Sequence, residues 1–80
     1  MITHVWVMTC RRESPRVFLS KRDAEVALME MVKNKSSIYS ELFCYYDVGN
    51  EVVYRATYLN DKKELDETYF RIVNKWIEKY

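Results

Sequence analysis

Hydrophobic and polar positions change period several times along this chain. From Thr3 to Cys10 β-branched and aromatic residues occupy both faces of a two-residue alternation, with His4, Trp6, Met8 and Cys10 opposite Val5 and Val7. That pattern predicts a strand covered on both sides and a central place in a sheet. Arg11-Arg12-Glu13-Ser14-Pro15 breaks the pattern, and Arg16-Val17-Phe18-Leu19 reads as a short returning strand, giving a hairpin with a basic tip. Ser20 with Asp23 three residues on resembles a capping box and sets a helix start. Ala24, Ala27, Leu28, Met31 and Val32 then recur at three- and four-residue spacing, one apolar stripe on a helix that Asn34-Lys35-Ser36-Ser37 ends.

Beyond it, Glu41–Tyr46 and Glu51–Leu59 flank Asp47-Val48-Gly49-Asn50, a tight turn in which Gly49 takes positive φ between antiparallel strands. Alternation puts Val52, Tyr54, Ala56 and Tyr58 opposite Val53, Arg55, Thr57 and Leu59, and Leu42, Cys44 and Tyr46 opposite Phe43 and Tyr45. The last segment is read as a second helix from about residue 62, capped by Asn60 or Asp61. Its early Glu64, Asp66 and Glu67 and late Lys75 and Lys79 suit the helix dipole. Leu65, Tyr69, Ile72, Val73 and Trp76 make its stripe, which Phe70, Ile77 and Tyr80 widen beyond what one sheet face covers. The expected fold is a single α+β domain over residues 1–80, ordered ββαββα, with two helices on one face of a four-stranded, mainly antiparallel sheet. The other sheet face has no cover of its own.

Composition turns this outline toward recognition. Seven tyrosines, three phenylalanines and two tryptophans share 80 residues with one histidine, two cysteines and one glycine. Aromatics supply packing and interface energy, whereas the residues of catalytic sites are scarce. Lone His4 suits a half-buried strand position better than a catalytic base, and no serine–histidine–carboxylate set can be assembled, so the chain reads as a non-enzyme. Cys10 and Cys44 lie in no Cys-x-x-Cys pair and read as reduced thiols, with a disulfide or a metal as the alternatives. No cofactor is implied, since a single glycine leaves no phosphate-cradling loop. No run nears the roughly 18 apolar residues of a membrane span, and no leader is read at the N-terminus, so the expectation is a cytoplasmic protein.

Net charge is +1 but polarised, with five basic residues against one acidic in residues 1–22 and three against seven in residues 40–67. Arg11, Arg12, Arg16, Lys21 and Arg22 bracket the first hairpin and helix start. They read as a solvated turn, with a contact to an acidic protein surface, ahead of DNA or RNA, as the alternative. Asp61, Glu64, Asp66 and Glu67 read as helix-capping charge rather than a ligand set. The candidate partner-binding residues are Trp76, Tyr80 and Phe70 on the last segment, Tyr45, Tyr54 and Tyr58 on the sheet, and Arg11 and Arg12 at the hairpin tip.

Val17-Phe18-Leu19-Ser20-Lys21-Arg22-Asp23-Ala24-Glu25-Val26-Ala27-Leu28, following a strand, resembles the opening of many small phage and mobile-element proteins. The resemblance covers the opening third of the chain and implies an accessory protein that binds and inhibits or redirects a host protein, including components of bacterial defence. It carries over no functional residue. Three functions stay open at this point: a protein-binding module, a single-stranded nucleic-acid binder using sheet tyrosines and hairpin arginines, and a homodimer whose aromatic surface serves assembly.

Overall fold

The computed structural model describes residues 2–11 and 13–78, with the side chains of residues 4–11 and 13–76 among them. Five strands and one helix follow in the order β1 (Ile2–Cys10), β2 (Glu13–Phe18), α1 (Lys21–Asn34), β3 (Tyr39–Asp47), β4 (Glu51–Leu59) and β5 (Leu65–Glu78). All strand pairs are antiparallel, and the sheet runs β2-β1-β5-β4-β3. The expected arrangement of four strands and two helices is therefore corrected. The segment read as a second helix is a 14-residue strand, and it takes the centre of the sheet that β1 was expected to hold.

The local chemistry of that segment explains the difference. Asn60 does cap backbone, its Oδ1 accepting from the amides of Lys62 and Glu64, both at 2.9 Å. The chain does not then enter a helix, because Lys63 takes a left-handed φ of 61° and turns it back, with the Asn60 amide donating to the Glu64 carbonyl at 2.9 Å. Leu65 then pairs with Leu59 and the β4–β5 hairpin begins. Thr68, Phe70 and Ile72, all buried, alternate with exposed Tyr69 and Arg71, the pattern of a strand with one face in the core. Glu64, Asp66 and Glu67, expected to support a helix start, lie exposed in and just after the turn.

Strand β5 joins two hairpins that overlap little. It pairs with β4 over Leu65–Val73 and with β1 over Arg71–Glu78, so only Arg71, Ile72 and Val73 carry a partner strand on both sides. Ile2–Val5 and Lys75–Glu78 run on beyond β2 and β4 as a two-stranded ribbon, which fits a molecule 49 Å in its longest dimension.

Helix α1 starts where the sequence placed it. Ser20 has extended backbone, and its hydroxyl accepts from the Asp23 amide at 3.0 Å. Ser20→Ala is expected to lose roughly 0.5 to 2 kcal/mol by leaving a helix N–H without its acceptor, with Ser20→Asp near neutral, as read by thermal melts. An equal, large loss in both variants would show that the hydroxyl does something other than cap. The predicted stripe faces the sheet: Ala24 and Leu28 are fully buried among Met8, Tyr39, Val52, Tyr54, Ala56, Phe70 and Ile72, with Met31 and Val32 packed at the margin. Polar ties fix the helix to both sheet edges. Lys21 bonds Asp47 of β3 at 2.7 Å, the Tyr54 hydroxyl donates to Glu25, and Lys35, just past the helix, bonds Glu13 of β2 at 2.8 Å. Burial, then the Glu25 bond, pushes the Tyr54 phenol upward, so it stays a protonated donor. Gly49 has φ +87° in the β3–β4 turn, as its position predicted.

Candidate functional site

The single helix covers one sheet face, and among the described residues no element covers the other. By register this open face carries Val5, Val7 and Thr9 of β1, Glu67, Tyr69, Arg71, Val73 and Lys75 of β5, Glu51, Val53, Arg55 and Thr57 of β4, and Phe43 of β3. A soluble sheet face is ordinarily polar. Here its β3 end is aromatic instead.

Phe43, Arg55 and Tyr69 form one cross-strand row, since Phe43 pairs with Arg55 and Arg55 with Tyr69. The Arg55 guanidinium carbon lies 4.3 Å from the Phe43 ring centre, a stacked cation–π contact. Tyr45 meets Tyr69 edge-on at 5.6 Å and Tyr46 at 6.0 Å. Simple alternation put Tyr46 with Leu42 and Cys44 on the opposite face. A register shift between Cys44 and Tyr46 corrects this, pairing Tyr46 with Val53 so that Tyr45 and Tyr46 both join the open face. Tyr45 keeps 57% of its surface exposed and Tyr69 45%, and Phe43 and Tyr46 are exposed as well.

A polar triad borders the patch. The Tyr46 hydroxyl donates to Glu51 Oε1, and Arg71 Nε and Nη2 both donate to Glu51 Oε2, at 3.1 and 2.6 Å. The Arg71 bonds first, then that from Tyr46, hold the Glu51 carboxyl below its ordinary range, and the Glu51 bond raises the Tyr46 phenol. Both groups thus keep their ordinary charge near neutral pH, which suits a fixed polar rim and not a proton-transfer pair. Beyond Tyr69 lies an open hollow of about 430 Å³ lined by Thr9, Cys10, Arg11, Tyr69 and Arg71, where β1 ends and β5 runs on without it.

The structure distributes the sequence-derived candidates over several places. Tyr45 and Arg11 flank Tyr69 and belong to one surface. Phe70 and Tyr54 are core residues on the helix side. Tyr58 is half-buried there, its hydroxyl 3.3 Å from Asp66. Trp76 is 68% exposed on the terminal ribbon, its ring centre 3.8 Å from that of His4. It shares the parity of buried Phe70 and Ile72, so it lies on the side opposite Tyr45 and cannot join the same flat interface. Arg12 and Tyr80 lie outside the described residues. Tyr69, Phe43, Tyr46 and Arg55 are the members that sequence reasoning missed. Tyr69 was hidden by the helical reading and Tyr46 by the assumption that β3 alternates without interruption, whereas Phe43 and Arg55 become neighbours only through the β3–β4 register.

No family model matches the chain, and no curated protein or solved structure matches it. Among the described residues no helix is long and apolar enough to cross a membrane.

Proposed function

We propose that this chain is a non-enzymatic protein-binding module whose recognition surface is the open sheet face centred on Tyr45 and Tyr69. The observation that carries the reading is a cluster of four exposed aromatics, Phe43, Tyr45, Tyr46 and Tyr69, on a face that the described residues leave uncovered. Exposed aromatics grouped on a rigid sheet supply large contact area at low cost in side-chain entropy, the property of interface hot spots. The resemblance of Val17–Leu28 to small phage proteins supports a host protein as the partner.

Charge disfavours the nucleic-acid alternative. On the open face Arg11, Arg55, Arg71 and Lys75 are largely offset by Glu51 and Glu67, and by Glu41, which pairs with Thr57. A groove that tracks phosphates requires unbalanced positive charge.

The test is affinity capture from a bacterial lysate with the tagged protein, read by mass spectrometry beside sedimentation of the purified chain. Tyr45→Ala with Tyr69→Ala is expected to abolish capture while the melting temperature stays close to wild type, because both side chains are solvent-exposed. Retained capture would remove this face from the interface. A doubled mass in solution that the same substitutions return to the monomer value would assign the patch to a second copy of the chain.

A further inference from the structure

We infer that the segment docking on the open face is acidic, and that Arg55 receives one of its carboxylates. This deepens the protein-binding reading and rests on it.

Arg55 is held in place, yet its hydrogen-bonding capacity is largely unused. The guanidinium stacks on Phe43, and Nε is shut from solvent with no acceptor. The carboxylate nearest to Nη1, Glu67 Oε1, stands at 3.9 Å, beyond hydrogen-bond reach. The side chain remains 31% exposed, so the outer edge of the fork is open to an incoming group. Arg71 on the same face differs, with Nε and Nη2 both bonded to Glu51. A guanidinium is a planar set of donors matched to a carboxylate, and a ring beneath it fixes the orientation that binding would otherwise have to impose.

A second cation aligns with it. Arg11, just past the end of β1, lies across that hollow from Tyr69, which is itself level with Arg55 across the β4–β5 pair. Arg11 lines the hollow beside Tyr69, is exposed, and has no carboxylate paired with it among the described residues. Tyr69 therefore has an arginine on either side, Arg55 on β4 and Arg11 at the end of β1. In an extended segment alternate side chains share a face, so carboxylates four residues apart, about 13 Å along the backbone, with an apolar residue midway between them, turn together toward Arg55, Tyr69 and Arg11. Two isolated guanidinium groups around an aromatic surface suit discrete carboxylates, not a continuous phosphate chain.

The test is an NMR titration of the full chain with the blocked peptide acetyl-Glu-Ser-Leu-Ser-Glu-amide and its counterpart carrying glutamine at both glutamate positions. The acidic peptide is expected to bind saturably, moving the Arg55 Nε–H signal together with those of Tyr69 and Arg11. The glutamine peptide should bind at least about tenfold more weakly, because the charge-assisted bonds are lost. Arg55→Gln should weaken the acidic peptide to the level of its counterpart. Equal binding of the two peptides overturns the inference, as does absence of saturable binding up to about 10 mM, where even a millimolar complex registers. The peptide comparison on the unaltered protein decides the matter even if Arg55→Gln fails to fold. In lysate capture, loss with the Tyr45 and Tyr69 substitutions but full retention with a folded Arg55→Gln variant would overturn the carboxylate role alone. Retention with both would remove this face from the interface, and absence of any captured protein with the unaltered chain would overturn the protein-binding reading itself.

Discussion

Phe70→Ala is expected to lose about 3 to 5 kcal/mol, close to the whole stability of a domain this small. Phe70 is fully buried, pairs across the ladder with Tyr54, and meets the Tyr39 ring edge-on at 5.7 Å, in the cluster closed by Leu28 of the helix. Truncation removes the transfer energy of a phenyl ring and leaves a cavity that the helix above and β4 beside it cannot close. Phe70→Leu, which keeps most of the volume, should lose much less. Chemical denaturation followed by circular dichroism measures both. A loss under about 1 kcal/mol for the alanine variant would take Phe70 out of the core and return it to the exposed aromatics available to a partner.

Val73→Pro is the second substitution expected to be severe, at about 3 kcal/mol or more. Val73 belongs to the three residues of β5 that pair with β1 on one side and β4 on the other, opposite Val7 and Glu51. Whichever neighbour its N–H faces, proline removes that bond and leaves an acceptor unpaired at about 1 to 3 kcal/mol. The ring also strains the strand at the one place where the two hairpins are tied together. Val73→Thr, which keeps the backbone bond and the branched shape, is the control. Hydrogen exchange on the wild type should find the amides of Arg71, Ile72 and Val73 among the slowest in the chain. A proline variant that melts at the wild-type temperature would show that the hairpins are held together by the helix alone.

The proposed protein-binding surface stands apart from both predictions. Tyr45, Tyr69 and Arg55 project from the sheet on the face away from Phe70 and Leu28, so recognition can be altered without disturbing the core. The rigid sheet beneath keeps the rings from having to order on binding.

The features that the amino-acid sequence determined by itself are those decided within a few residues. Ser20 caps α1 because a short hydroxyl side chain reaches the amide three residues on. Gly49 turns the β3–β4 hairpin because a residue without Cβ accepts positive φ. The stripe of Ala24, Leu28, Met31 and Val32 faces the core because an α-helix repeats every 3.6 residues. Residues 65–78 offered no such local decision. Leu65, Tyr69, Ile72, Val73 and Trp76 satisfy helical spacing, while Thr68, Phe70 and Ile72 against Tyr69, Arg71 and Val73 satisfy a strand. What decides between them is the free β1 edge, about sixty residues earlier in the chain, and the hairpin set by the left-handed turn at Lys63. Strand preference depends on such neighbours more than helix preference does. The candidate face was decided in the same way. The bulge that turns Tyr46 to the open side and the placement of Tyr69 beside Tyr45 exist only once β3, β4 and β5 are in register, because pairing between strands, not the order of residues within one, sets which side chains share a surface.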